Sequence, residues 1–412
     1  MSADLESPAA VGAGRIAFDA SALSKPRFTA LPALSLYVHI PWCVRKCPYC
    51  DFNSHAASEA LPEEAYVDAL IADLETALPL VWGRKVGSIF IGGGTPSVFS
   101  AAAIDRLLAA IRARLPTAPD AEITLEANPG TFEREKFAGY YAAGVNRLSL
   151  GIQSFDDRHL RALGRVHDAR EARRAAEAAL MIFGNVNFDL MFALPGQDVD
   201  DALRDVRSAL GFGPPHLSFY HLTIEPNTLF HRHPPRIPDD ETAADIEDAV
   251  LFALDAAGYL HYETSAHAKP GRECRHNVNY WRFGDYLGIG AGAHSKLSFP
   301  DRVLRQLRWK QPKQYLEQVA KAAPLQEDLE VSRRDLPFEF MLNALRLTDG
   351  VPSAMFAERT GLPIAAAASA IEEATRRGLL EPDPAVLRPT PLGRRFLNDL
   401  QSLFLADRGA PS

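Results

Sequence analysis

The 412-residue chain has no apolar run of about 18 residues or more, which excludes a membrane-spanning helix. It is poor in cysteine: there are only 4, and three of them lie between positions 43 and 50. A secreted disulfide framework would spread its cysteines along the chain. The N-terminal stretch MSADLESPAAVGAG lacks the basic start and apolar segment of a signal peptide. These features predict a reducing, cytoplasmic location, with cysteines serving as metal ligands and not as bridges. A basic excess is also missing. The chain has 44 Lys and Arg against 52 Asp and Glu, a net charge of −8, which argues against a whole-surface nucleic-acid binder but leaves a local basic patch open. Hydrophobic residues at 47% and charged residues at 23% exclude whole-chain disorder. The length suits one large domain plus a smaller one.

Residues 1–34 are rich in Ala, Ser and Pro, show no periodicity, and read as a poorly ordered extension. From position 35, short β-branched or aromatic runs (35–40, 88–92, 122–127, 147–152, 187–192 and 216–222) alternate with longer helical stretches. Over 100–115, Ile104, Leu107, Leu108, Ile111 and Leu115 share one helix face, and Ser100 is a natural N-cap. Pro62 opens the helix between the first two runs. This alternation predicts right-handed βαβ units and a parallel sheet. About six units, against the eight of a closed barrel, make the fold class α/β: a partial (β/α)6 barrel over 35–300, with functional groups at its C-terminal rim.

Residues 301–333 read as a linker with some helix. Over 334–412 the pattern is mainly helical around a short polar turn, EPDPAVLRPT, and is winged-helix-like. Such a module either binds DNA or packs over the open barrel. The helix over 363–378 is dominated by alanine and carries few bases, which favours packing.

The strongest chemical signal is YVHIPWCVRKCPYCDF. Cys43, Cys47 and Cys50 form C-x3-C-x2-C directly after the first strand. A structural zinc site closes with four ligands, here by recruiting His39 or His55. Three thiolates on a four-iron cluster would instead leave one iron open. Incidental thiols are the remaining alternative. IGGGTPS follows the second strand, where Gly92, Gly93 and Gly94, followed by Thr95, let backbone approach a ligand closely and read alone as either a turn or a phosphate loop. Glu126, Gln153, Arg165 and Asp189 follow at or after strand ends. They offer two carboxylates, an amide and a guanidinium to one rim, a set suited to a zwitterion whose carboxylate Arg165 can fork.

C-x3-C-x2-C after the first strand of a partial barrel resembles the radical S-adenosylmethionine (SAM) superfamily. The resemblance covers about residues 35–405. It implies a [4Fe-4S] cluster on the three cysteines, with SAM chelating the open iron. It also implies that the glycine segment holds the SAM amino group. In the coproporphyrinogen dehydrogenase-like branch, the residues matching Glu126, Gln153, Arg165 and Asp189 contact SAM, and Tyr37 matches a tyrosine near the cluster.

Two activities exist in that branch. Oxygen-independent coproporphyrinogen III oxidases of porphyrin biosynthesis typically carry a further cysteine where Phe52 stands here. HemW-type heme chaperones carry an H-N-x-x-Y-W motif, matched by His276, Asn277, Tyr280 and Trp281. Histidine is a common axial iron ligand, and aromatic rings offer a flat surface to a porphyrin. Read without the resemblance, the same residues suit a structural corner. Ala266 departs from the Y-E-x-S-N segment of the chaperones. Cys274, His267 and His294 are lesser ligand candidates. The resemblance as a whole implies a heme chaperone that binds heme and delivers it to apoproteins such as respiratory enzymes. Nucleic acid is not among the expected partners, and a homodimer is one expected assembly. No residue is assigned a catalytic role.

Overall fold

The structure is a computed structural model that describes residues 25–57, 61–130 and 133–406. The first six strands of the chain's main sheet are β1 (Leu34–Ile40), β2 (Val86–Gly93), β3 (Thr117–Ala127), β4 (Arg147–Gln153), β5 (Val186–Phe192) and β6 (His216–His221). All six are parallel neighbours in chain order. The intervening helices include α1 (Glu63–Ala77), α2 (Ala101–Arg114), α3 (Glu133–Ala142), α4 (Asp157–Ala162), α5 (Ala169–Ile182) and α6 (Val199–Phe212), and α7 (Leu229–Arg232), α8 (Asp240–Ala256), α9 (Arg275–Trp281) and α10 (Pro312–Val319) follow. The partial barrel expected from the strand and helix alternation is therefore present. Capping is local and explicit. Ser100 accepts from the Ala103 N–H, and Asp168 and Asp198 each close a capping box.

The sheet is wider than the sequence suggested. It continues with β7 (Leu260–Glu263), β8 (Ala266–Ala268), β9 (Asp285–Ile289), β10 (His294–Phe299), β11 (Arg302–Arg308) and β12 (Leu325–Glu330). The spatial order is β12-β11-β10-β9-β1-β2-β3-β4-β5-β6-β8-β7. β9 lies parallel to β1, whereas β8 lies antiparallel to β6. Residues 301–333 are consequently not a linker: they supply β11 and β12 to this sheet. Their polar character misled because β12 is an exposed edge strand and the buried polar groups of β11, Gln306 and Arg308, are paired. Arg308 and Tyr315 both donate to the buried Asp73 of α1, at 3.3 and 2.9 Å. The extension expected over 1–34 lies outside the described residues up to position 24. Its remainder is anchored to the fold, with Arg27 and Phe28 donating backbone N–H groups to Gly361 and Pro300 and Leu34 opening β1.

Strand alternation places two different surfaces on the barrel. Leu36, Val38, Ile89, Ile91, Leu148, Leu150, Phe188 and Leu190 are buried in the hydrophobic core shared with the helices. The alternate residues, Ser88, Glu126, Arg147, Ser149, Asn187, Asp189, His216 and Ser218, belong to the opposite face. Closed barrels fill that interior with branched apolar side chains. Here the lumen is polar, so it is built to hold something other than its own side chains.

The C-terminal region is helical, from α11 (Leu336–Ala344) through α12 (Ala354–Thr360) and α13 (Ala368–Arg376), with a two-residue strand pair joining Val351–Pro352 to Val386–Leu387. It has its own core around Phe340, Phe356 and Leu400. It also covers the open barrel edge. Thr264 N–H donates to the Arg346 carbonyl and Thr348 N–H to the Tyr262 carbonyl, so edge groups of β7 are paired.

Candidate functional site

The cysteine loop leaves the C-terminal end of β1. Its ends are tied together by pairing Trp42–Cys43 with His55–Ala56, and Lys46 donates to the Phe52 and Ser54 carbonyls. Cys43 is buried and Cys47 and Cys50 are half-buried; all three thiols are free and line one cavity of about 650 Å³. Burial pushes the Cys43 and Cys50 thiols up, and each feels the charge of Cys47. Neither His39 nor His55 lines this cavity. Both ring nitrogens of His39 are engaged, by the Tyr37 hydroxyl and the Asn53 carbonyl at 2.9 Å each. The two histidines expected to close a four-ligand zinc site are thus not placed to do so, whereas three thiols around an open space fit a cluster with one free iron.

Gly93, Gly94 and Thr95 line the same cavity, but Gly92 does not. The glycines answer a packing need. Gly93 has φ +117°, and a Cβ there would lie 2.7 Å from the His39 ring; on Gly94 it would lie 2.6 Å from the Trp42 carbonyl oxygen. The Gly93 N–H donates to Glu126 at 3.1 Å. Glu126, Gln153 and Asp189 complete the wall. Gln153 has φ 68°, a strained conformation for a residue with a side chain and one that clusters at functional sites. Asp189 accepts from Ser149 and Asn187 at 2.9 and 2.8 Å. Arg165 does not line the cavity. Its guanidinium donates to the Cys47 sulfur at 3.4 Å, the Asn128 side chain at 2.6 Å and the Gly151 carbonyl at 2.9 Å.

Burial, and then the neighbouring Asp189, raise the Glu126 carboxyl from 4.5 to about 8. The folded protein therefore holds a proton that the unfolded chain releases. That contribution to stability is full below pH 4.5 and is lost as pH rises to about 8. Glu126→Gln keeps the acceptor for Gly93 and removes the loss. In ligand-free protein it should be the more stable form at pH 9, by about 1–2 kcal/mol, with a flatter profile between pH 5 and 8. Thermal denaturation across that range is the check; a Gln variant no more stable than the parent at pH 9 refutes the assignment.

A second cavity, of about 340 Å³, lies deeper in the lumen. It shares Glu126, Ser149, Asp189, Tyr220 and Arg346 with the first, so the two are continuous. Along one side runs the short helix α9 (Arg275–Trp281). His276, Asn277, Tyr280 and Trp281 all line this cavity, as does Tyr37. The His276 ring stacks on Phe90 at 5.0 Å, and its Nδ1 lies 3.2 Å from the Ser88 hydroxyl. Its Nε2 is buried without a partner. Burial, and then Arg147, lower this imidazole to about 3, so it is neutral. Tyr280 stacks on Tyr286 at 4.1 Å, and the Arg346 guanidinium sits 4.3 Å over the Trp281 ring. The lesser ligand candidates lie apart: Cys274 points at Glu122, and His267 stacks on His261.

Asn128, Arg147, Ser149, Tyr220 and Arg346 escaped the sequence reading. Arg147, Ser149 and Tyr220 were findable as polar residues alternating with apolar ones on covered parallel strands. Arg346 comes from the C-terminal region, and no local pattern marks it.

The run of six parallel strands, the three-thiol loop and the polar lumen define a radical SAM protein. Matching family models bear on the same two regions: the Radical SAM superfamily over residues 37–209 and the HemN C-terminal domain over residues 331–396. The chain is 50% identical to the heme chaperone HemW of Escherichia coli (strain K12) over 379 residues, covering 92% of this chain and 99% of that protein. It is 33% identical to the heme chaperone HemW of Bacillus subtilis (strain 168) over 381 residues, covering 90% and 99%. It superimposes on the coproporphyrinogen III oxidase HemN from Escherichia coli with a TM-score of 0.78 and 24% identity, over 91% of this chain and 90% of that one, a likeness of fold. The chain belongs to the HemW family of the radical SAM superfamily. No helix among the described residues is long and apolar enough to cross a membrane.

Proposed function

We propose that the chain is a heme chaperone that binds heme and delivers it to apoproteins, respiratory enzymes among them, and that it also binds a [4Fe-4S] cluster and SAM. Cys43, Cys47 and Cys50 hold the cluster. Gly93, Gly94, Thr95, Glu126, Gln153 and Asp189 form the SAM wall, and Arg165 braces it from behind through Cys47 and Asn128. When bound, the cluster and SAM supply an open iron site and one-electron chemistry. Heme belongs to the lumen beside α9.

One observation carries the heme assignment. His276 lines the lumen as a neutral imidazole, its ring fixed by Phe90 and Ser88, and its Nε2 has no partner. That is the form of histidine that ligates iron. The oxidase alternative has the fold in its favour, but Phe52, where those enzymes typically place cysteine, is 61% exposed beside the cluster loop. The proposal includes no nucleic-acid partner: Arg376 of α13 and Arg377 at its C-cap are both paired with Glu373 of that helix. A homodimer and a cytoplasmic site of action complete it, resting on the family and the sequence.

The test is anaerobic reconstitution followed by two assays on one preparation. Heme titration should saturate near one heme per chain. Incubation with coproporphyrinogen III, SAM and a reductant should leave the porphyrinogen unchanged. Conversion to protoporphyrinogen IX with SAM consumption would instead make the protein an oxidase.

A further inference from the structure

Arg147 opens β4 at the inner end of the lumen, and its side chain is 2% exposed. Its guanidinium makes no hydrogen bond to any described residue. The one ion-pair contact of its Nε is the Glu122 Oε2, 4.0 Å away, and that Nε is fully buried without a partner. Guanidinium groups carry five N–H donors, and buried donors are nearly always engaged. The other oxygen of Glu122, Oε1, accepts the His276 backbone N–H at 3.2 Å and faces the Cys274 thiol at 3.6 Å, so the carboxylate is held at that distance from Arg147.

The imbalance extends across the compartment. Trp281 Nε1 and Arg346 Nε are also buried without partners, and both residues line the same cavity as Arg147. The carboxyl groups there already have partners, Glu126 taking the Gly93 N–H. Asp189 is held by Ser149 and Asn187, Glu263 by Arg346, and His216 by Asn187 and Tyr262. Buried donors left open on a cavity wall are matched by acceptor atoms that a ligand brings. The planar fork of arginine matches a carboxylate in particular.

We propose that the inner end of the lumen is a carboxylate subsite anchored by Arg147, which takes a propionate side chain of the porphyrin. The inference rests on the heme reading above and adds the group that orients the ligand. His276 can address the iron, while Arg147 addresses the edge of the macrocycle and fixes which way it faces.

The experiment compares heme with heme dimethyl ester, which has the same iron and macrocycle but masked carboxylates. Both are titrated into reconstituted full-length protein, the parent and the variants Arg147→Gln and Arg147→Lys. The parent should bind heme at least about tenfold more tightly than the ester, as expected for one charge-assisted hydrogen-bonded pair. That preference should fall towards one in Arg147→Gln, through weaker heme binding and not tighter ester binding. Arg147→Lys keeps the charge but loses the fork, and should lie between the two. If the Gln variant does not fold, the Lys variant decides, and its preference must fall at least about threefold. Equal preference in parent and variants, or a parent that does not discriminate, overturns the subsite while leaving a heme chaperone. A parent that binds neither porphyrin overturns the heme reading, and the subsite with it.

Discussion

Cys43→Ser, Cys47→Ser and Cys50→Ser should each abolish the iron–sulfur absorbance of reconstituted protein, whereas Cys274→Ser should retain it with about four irons per chain. The expected loss is complete because neither the fourth cysteine nor the two histidines flanking the loop stand on that cavity wall. Both nitrogens of His39 are taken, His55 lies off the cavity, and Cys274 is buried at the N-cap of α9 facing Glu122. The loop itself should survive each substitution. Its ends are held by the Trp42–His55 backbone pairing and by Lys46 donating to two carbonyls, and neither contact uses a thiol. Iron and acid-labile sulfide analysis, with circular dichroism as the control for folding, reads the result. A full cluster in any of the three serine variants would mean that the ligand set is wrong.

What the sequence made legible follows from which interactions are local. The six parallel strands, the Ser100 cap and the three-cysteine loop depend on short-range patterning, and each stands where it was expected. The sheet beyond β6 was illegible for a physical reason. β11 reads RVLRQLR and β12 reads LQEDLE, which have the charge of a surface linker. Burial of Gln306 and Arg308 becomes tolerable only because distant residues pair with them. Asp328 accepts from Gln306 at 3.2 Å, and Asp73, more than two hundred positions away, accepts from Arg308. Arg165 illustrates a different limit. Its chemistry suggested a fork for a carboxylate, yet its place behind Cys47 depends on Asn128 and the Gly151 carbonyl arriving from other strands. The polarity of the lumen was present in the sequence as alternation, in Arg147 and Ser149, Asn187 and Asp189, His216 and Ser218. It acquires meaning only once the opposite face is seen to be the apolar one.

That polarity bears on how a carrier can reuse a fold shared with an oxidase. In the described structure α9 lies against the inner face of β1 and β2, with Asn279 donating to Ser35 and His276 beside Ser88. It narrows one side of the lumen and presents His276 towards the polar strands β4 to β6. The cluster loop stands beyond the opposite, C-terminal ends of the strands. The two sites share walls at Glu126 and Asp189 but not ligands, which makes them separable by mutation.

His276→Ala should therefore weaken heme binding by at least about tenfold and shift the Soret band, with the cluster absorbance unchanged. An axial imidazole sets the electronic state of the iron directly. Alanine also leaves a void beside Phe90 and frees Ser88, so lost packing alone could weaken binding. His276→Phe separates the two causes, because its ring can stack on Phe90 but carries no nitrogen. If ligation matters, the Phe variant should lose heme affinity and the parent Soret position as the Ala variant does. If packing matters, it should bind heme like the parent. Trp281→Ala should have the smaller effect, through the lost contact with Arg346. Should His276→Phe retain the parent spectrum, His294 becomes the next ligand to test, because it lines a cavity with Tyr37, Glu126 and Tyr280. His267 and Cys274 rank below it: one is stacked against His261 and the other is turned to Glu122, and neither lines the lumen.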